Sequence, residues 1–562
     1  AYMTLGKYPQ GVPGKWLVPG LDRDPEPESF QAFTDVAPQL GLSTKDLSGG
    51  VIVDDFNNDG YLDIVTSSYD LKQSMHYFRN DGRGGFSDQS ASSNLGLFTG
   101  GLNITQTDYN NDGYLDIFVL RGGWQENFGE QPNSLLRNNG DDTFTDVTEE
   151  SGLLSFYPTQ TCAWRDFNND GWLDLFIGNE STEPKLRFPC ELYLNNRNGT
   201  FKEVAAEAGC AVIDFVKGVA AGDYDNDGRE DLYLSSAHGN QMLLKNTGNN
   251  QGIPRFKNVT REAGLDDIRI RTFPTWFWDY NNDGWLDIFV CGYSFGKSIA
   301  HSACTEALQI ENTAGKMYLY RNEGNGRFTN VSHQAGLDRT AFAMGSNFGD
   351  FDNDGFLDMY LGTGNPEYEA LVPNRLFRND GKGGFKDLSV AARVGNLQKG
   401  HGVAISDIDH DGDQDIFIEV GGVLPGDIYH SSLYLNPGQN QNSWIHILLE
   451  GEDTNKPAVG SRIKISITEN GIPRSIYRDV NSGGSFGSSS YRRDIGLGRA
   501  TIIDTLAITW HKSRQTRYFY SVPVNQIIRI REKETQYSQI PVNTLRFLGD
   551  SSKIPMCNLP AI

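Results

Sequence analysis

The 562 residues carry 72 acidic against 49 basic side chains, a formal charge of −23, with 38% hydrophobic and 11% aromatic residues. A chain this acidic is a poor partner for nucleic acid or an anionic membrane, whose charge has the same sign. No window approaches 18 consecutive apolar residues, so no membrane-spanning helix is expected, and the length exceeds one ordinary domain.

Residues 1–32 read as an N-terminal extension. The chain opens Ala1-Tyr2-Met3-Thr4-Leu5, with neither an initiator methionine nor a basic segment followed by an apolar one, so a mature or trimmed terminus is expected. From residue 33 a repeat takes over. A nine-residue pattern, DxNxDGxxD or DxDxDGxxD, starts at Asp55, Asp108, Asp166, Asp223, Asp279, Asp350 and Asp407, at spacings of 53, 58, 57, 56, 71 and 57 residues. A period of that size signals a repeat architecture.

Each copy suits a hard cation. Positions 1, 3, 5 and 9 offer side-chain oxygens and position 7 a backbone carbonyl, a donor set typical of Ca2+. Mg2+ fits less well, because it demands octahedral geometry and retains several waters. The predicted ligands are Asp55, Asn57, Asp59, Tyr61 and Asp63; Asp108, Asn110, Asp112, Tyr114 and Asp116; Asp166, Asn168, Asp170, Trp172 and Asp174; Asp223, Asp225, Asp227, Arg229 and Asp231; Asp279, Asn281, Asp283, Trp285 and Asp287; Asp350, Asp352, Asp354, Phe356 and Asp358; and Asp407, Asp409, Asp411, Asp413 and Asp415. Glycine always stands at position 6, where the chain turns sharply. An EF-hand is excluded, since the twelfth residue of the first copy is Thr66 and the flanks read as strands, for example Gly218–Gly222 before a loop and Asp287–Val290 after one. Seven Ca2+ ions would bring the formal charge from −23 to −9.

After each loop come an apolar strand, a variable loop, a strand ending in Asn, a Gly-rich hairpin and a strand led by Phe. The Asn residues are 80, 138, 195, 246, 322, 379 and 436. Four strands per unit describe a propeller blade. After Asn436 the Phe-led strand is missing, and Phe33-Thr34-Asp35-Val36 is expected to supply it and close the ring. The predicted fold is therefore an all-β, seven-bladed propeller over residues 33–437, then a compact β domain over 438–535 and a tail over 536–562.

Cysteines lie at 162, 190, 210, 291, 304 and 557. The pairs 190/210 and 291/304 are close enough for local disulfides, with buried free thiols the alternative. Sequons begin at Asn103, Asn179, Asn198, Asn258 and Asn330, a number that chance alone supplies in an Asn-rich chain. No GxSxG, HExxH, Walker or dinucleotide motif points to a standard enzyme.

The loops resemble FG-GAP or VCBS repeats, as in integrin α-chain propellers. The words Ala458-Val459-Gly460-Ser461-Arg462, Gly483-Gly484-Ser485-Phe486 and Gly496-Leu497-Gly498 resemble the ASPIC/UnbV domain that follows such repeats in the cartilage acidic protein family. The resemblance implies structural Ca2+ on the bottom face and ligand binding on the top. Vertebrate members add a Cys-rich EGF-like module that this tail does not show, so a non-vertebrate relative is expected. Loops expected on the top face carry Arg121, Trp124, His238, Glu367, Tyr368, Glu369 and Asp427, with an insertion over 291–316. Arg121, Trp124, His238, Phe273 and Tyr368 are the ligand candidates. Six residues before each metal loop, at the expected channel mouth, stand Gly49, Leu102, Gln160, Lys217, Phe273, Met344 and His401. Two functions follow: a secreted, extracellular or periplasmic calcium-binding scaffold presenting top loops to a protein, glycan or small molecule, or an enzyme using Lys217 and His401 as acid and base in cyclisation, rearrangement or proton transfer on a natural-product-like substrate.

Overall fold

The computed structural model describes residues 10–17, 30–183, 185–294, 298–308, 310–370 and 372–547. Most of the 1–32 extension, residues 548–562 and Cys557 lie outside them. Seven four-stranded antiparallel sheets each contain one metal loop between first and second strands. In blade two, for example, Asn103–Thr107 and Asp116–Leu120 flank the loop, and Ser134–Asn138 and Phe144–Asp146 complete the sheet. The inner first strands touch in order, and the seventh, Gly400–Ser406, returns to the first, Val51–Asp54. Blade seven takes its outer strand from the N-terminus, with Thr34 opposite Leu435 and Asp35 opposite Tyr434. Closure in this way turns the inner strand edges into an enclosed channel, away from other chains.

Asparagine builds the joints between blades. The repeated Asn of each third-strand segment (80, 138, 195, 246, 322, 379 and 436) donates its backbone N–H to the position-9 aspartate of its own blade, at 2.7–2.9 Å. In blades two to seven its side-chain amide also reaches back to the position-2 carbonyl of the preceding blade, as from Asn138 to Phe56 at 2.8 Å. A second series runs the other way. Position 4 is Asn in six loops and adopts the left-handed conformation, which Asn tolerates. Its amide bonds the position-6 glycine carbonyl of the next blade at 2.8–3.1 Å. The seam between blades seven and one breaks both series: position 4 is His410, stacked on Tyr61 at 5.3 Å, and the Asn80 amide turns to Leu62 of its own blade.

The C-terminal strands form two further four-stranded sheets, one of them with Ser443–Glu450 and Ile527–Arg531 paired in parallel. Ile445, Ile465, Leu506, Ile508, Trp510 and Ile530 fill the core between them, and this core continues into Tyr109, Phe118 and Trp164 of blades two and three. Residues beyond 535 are also structured: Leu545 and Phe547 pack into the core at the seam, with Phe547 5.7 Å from Phe86.

Candidate metal loops and a plugged channel

Tight backbone geometry presets each metal loop. The position-1 carboxylate accepts the amides of positions 5 and 6, as when Asp55 bonds the N–H groups of Asp59 and Gly60 at 3.1 and 2.8 Å. Position 6 is left-handed in every copy, with φ of 88–100°, a conformation that only glycine takes without strain. In the three copies with Asp at position 3, the carboxylates at positions 1, 3 and 9 converge, with ligand atoms all within 4.8 Å: Asp223/Asp225/Asp231, Asp350/Asp352/Asp358 and Asp407/Asp409/Asp415. In the other four, the position-3 Asn lies 2.7–3.1 Å from the position-5 carboxylate.

These donors fit a hard cation. Buried carboxylate oxygens on Asp225, Asp231, Asp287 and Asp352 have no hydrogen-bond partner. Burial, opposed by amide bonds but reinforced by neighbouring carboxylates, pushes Asp55, Asp108 and Asp279 up to about 7. A bound cation would relieve that repulsion. The copies differ in one respect the motif does not show. In blade four Lys245 pairs with Asp225 and Asp227, and in blade six Arg378 lies 2.6 Å from Asp352. Both cations come from the residue just before the third-strand Asn, a position that is also Arg in blades one, two and five, where position 3 is Asn.

The C-terminal domain sits on this metal-loop face. Arg462 bonds the carbonyls of Asp223 and Gly284 at 2.7 and 3.1 Å, Arg474 that of Asp354 at 2.8 Å, Arg478 that of Gly355 at 3.1 Å, and Lys512 that of Asp170 at 2.8 Å. Those carbonyls belong to loop positions 1, 5 and 6, not to the candidate ligand carbonyl at position 7. Beneath them Arg165 joins Asp479 at 3.1 Å and Glu230 at 3.6 Å, a desolvated interdomain network.

From the same domain, residues 481–491 enter the propeller channel. Ser485 exchanges two 2.8 Å backbone bonds with Ser346, Val403 donates to the Phe486 carbonyl at 3.0 Å, and Ser488 bonds Val51 and Val53 at 2.8 and 3.1 Å. Three inner strands thus hold the loop. A side chain on Gly483 would stand 2.2 Å from Asn347 Oδ1, and one on Gly484 2.2 Å from the Ser346 carbonyl, so only glycine fits the bore. At the tip, Phe486 is buried among Leu102, Phe273, Tyr293 and Met344, with its ring 5.6 Å from His401. Pockets of about 40 and 60 Å³ remain around the plug, enough for a few waters.

Of the residues expected at the channel mouth, Leu102, Phe273 and Met344 pack around Phe486. Lys217 is buried, 2.5 Å from Glu180 and 2.9 Å from Gln160, and its ammonium lies 3.3 Å from the Trp124 ring centroid. Burial, partly offset by Glu180, lowers it to about 8. His401 is lowered to about 3 by burial and by Lys399. The path between them runs through the rings of Phe273 and Phe486. Among the ligand candidates, Arg121 is buried and ties Thr99, Pro132 and Ser134 together, and Phe273 belongs to the plug cluster. Trp124 roofs Lys217. His238, 2.8 Å from Asp214, and Tyr368, bonded to the Pro425 carbonyl at 2.7 Å, keep exposed surface. Asp427 pairs with Lys399 at 2.5 Å. In the insertion, helix Ile299–Ala307 docks through Ile299 against Phe342 and Val372. Neither disulfide forms: Cys162, Cys190, Cys210, Cys291 and Cys304 are free thiols. The sequon residues Asn103 and Asn179 are buried.

Sequence reasoning missed the position-4 Asn, the interdomain arginines and the plug. The first was visible as six Asn at one phase. The others carried no repeat signal.

An FG-GAP-like repeat model matches residues 55–119, 108–177, 166–234, 223–290 and 279–361, and an ASPIC and UnbV model matches 451–537. Cartilage acidic protein 1 of Mus musculus is 23% identical over 477 residues, covering 78% of this chain and 67% of the relative. The Homo sapiens protein is 23% identical over 474 residues, covering 77% and 65%. The chain thus spans about two thirds of the length of these relatives. Among solved structures, AofleA of Arthrobotrys oligospora aligns at 9% identity over 62% of this chain and 90% of its own, with a TM-score of 0.33. The V. cholerae biofilm matrix protein Bap1 aligns at 10% identity over 88% and 70%, with a TM-score of 0.28. The protein belongs to the FG-GAP-like repeat family, with an ASPIC and UnbV domain following the repeats.

Proposed function

We propose that this is a secreted calcium-binding scaffold whose upper face, opposite the metal loops, binds a macromolecular partner. One observation carries the reading. Exposed large apolar side chains of the propeller gather on upper loops, including Phe128 at 86%, Leu97 at 78%, Val390 at 77% and Leu71 at 60% exposure, and none lies in a metal loop. Apolar side chains left exposed on these loops, and on no metal loop, favour the upper face as the interaction surface. The lower face is covered by the C-terminal domain, and the channel is filled by its loop, which leaves the upper loops as the presenting surface. Likeness to cartilage acidic protein 1 supports an extracellular setting, and no described helix is long and apolar enough to cross a membrane. The enzyme alternative loses support from the separate burial of Lys217 and His401.

Calcium loading is tested by counting bound metal after dialysis against Ca2+ and by melting with and without chelator. A chelated protein that melts with the loaded one would sink the calcium reading. Partner binding is tested by comparing wild type with a Phe128→Ser/Leu97→Ser/Val390→Ser triple variant in quantitative cross-linking on extracellular matrix. Equal capture by two equally stable proteins would remove the upper face from the account.

A further inference from the structure

The geometry points to a cation site outside the repeat loops, at the upper end of the seam where blade seven meets blade one. Its centre is Glu419, near the end of the second strand of blade seven, Asp415–Val420. The same position in blades one to six is Ser67, Leu120, Gly178, Ser235, Cys291 and Gly362, so only this blade places a charge there.

Glu419 is fully buried. Its Oε2 accepts the Ser431 hydroxyl at 2.7 Å, whereas Oε1 makes no well-formed hydrogen bond. A chain of hydroxyls leads onward: Ser431 Oγ lies 3.3 Å from Thr44 Oγ1, and Thr44 in turn bonds the buried carboxylate of Asp46. Thr66, from the second strand of blade one, turns its buried hydroxyl to Glu419 in a hydrogen bond that is not well formed. Ser48, two residues beyond Asp46, has an orphaned hydroxyl as well.

Charge is as unbalanced as the hydrogen bonding. Burial and the Asp46 charge both oppose ionisation of Glu419. Few cations are at hand: Lys399 pairs with Asp427, Lys45 is exposed, and the partly exposed His76, 3.8 Å from Asp46, is that carboxylate's ion-pair partner when it is protonated. One proton on Glu419 would serve Thr66 and leave Asp46 with only the partly exposed His76 as a charge partner. A hard cation would serve both carboxylates and the hydroxyls, which are the oxygen donors such ions take. The location also gives it a task. Both asparagine series are broken at this seam, on its lower side, and an ion held by Glu419, Thr66 and Asp46 would join blade seven, blade one and the segment entering blade one. Calcium is the cation the repeat loops already suit.

Crystals of the Ca2+-loaded chain, with data collected for anomalous scattering, test this directly. Expected is a calcium peak about 2.3–2.6 Å from Glu419 Oε1. Water, or no density, at that place overturns the site. Metal counting gives a second reading, in which Glu419→Gln loses one ion per chain relative to wild type and lowers the melting temperature more in Ca2+ than in chelator. Unchanged ion count and melting would show a carboxyl that merely holds a proton, which glutamine mimics. If the variant does not fold, the wild-type anomalous map still decides. Peaks in the repeat loops and at the seam are read separately in that map, so failure of one does not imply failure of the other.

Discussion

Replacing Phe486 by alanine asks whether the plug stabilises the ring or merely fills it. The ring of Phe486 is 4% exposed and lies against His401 and Phe273, at 5.6 and 6.3 Å. Truncating a buried Phe costs about 3–5 kcal/mol through lost burial and the cavity left behind. The lower end is expected here, because the bonds from Ser485, Phe486 and Ser488 to three inner strands are main-chain bonds and survive the change. Phe486 is also left-handed, at φ +69°. A non-glycine residue there carries about 1–2 kcal/mol of backbone strain, which a glycine relieves. Phe486→Gly is therefore expected to be more stable than Phe486→Ala by about 1 kcal/mol, the reverse of the usual order in regular structure. Chemical unfolding followed by tryptophan fluorescence, with proteolysis of the 481–491 loop as a second probe, measures both differences. Phe486→Ala within about 0.5 kcal/mol of wild type, the range of ordinary surface changes, would refute a packed plug. Alanine equal to glycine would refute the strain argument.

Three further outcomes follow from the same geometry. Asn138→Ala strips partners from the carbonyls of Phe56 and Leu115 and is expected to cost about 1–3 kcal/mol, whereas Asn139→Ala, on the exposed hairpin, should stay within about 0.5 kcal/mol; equal melting temperatures would dismiss the clasp. His401 has its folded pKa depressed to about 3, so it stays neutral in the fold while the unfolded chain takes up a proton below about pH 6.5. Its contribution is thus present above pH 6.5 and lost as pH falls towards 3, about 2 kcal/mol between pH 7 and 5; His401→Gln should flatten the stability profile by that amount, and parallel profiles would contradict it. Burial pushes Cys162, Cys190 and Cys291 up to about 12, so peptide mapping after iodoacetamide at pH 8 should find Cys304 alkylated and those three protected. Comparable labelling at all four would mean the blades open readily.

Local chemistry explains what was legible. A metal loop is nine consecutive residues, and its ligands, glycine turn and flanking strands all sit in one window. The missing Phe-led strand after Asn436 likewise pointed to residues 33–36, because a repeat makes absence countable; Thr34 and Asp35 pair there. Residue roles at the channel mouth were legible only as positions. Nothing near Lys217 in sequence names Glu180 or Trp124 as its partners, and both are brought to it by the ring. The plug was least visible, since Gly483-Gly484-Ser485-Phe486-Gly487 has the composition of a linker. Its glycines are required by the walls of another domain, a constraint that no window within the loop contains.

The arrangement would couple a cation held in the repeat loops to the plug. Arginines and a lysine of the C-terminal domain bond carbonyls at positions 1, 5 and 6 of the metal loops, and those carbonyls point correctly only while the loops keep their turn. An ion that fixes the turn must therefore favour docking, and docking must favour the ion by the same factor, since linkage is reciprocal. The plug enters the channel as part of the docked domain, so its insertion depends on the same loops. Chelation should accordingly expose residues 481–491 to protease before the blades unfold. Cleavage appearing only together with global unfolding would show that the two domains are held by their shared apolar core alone.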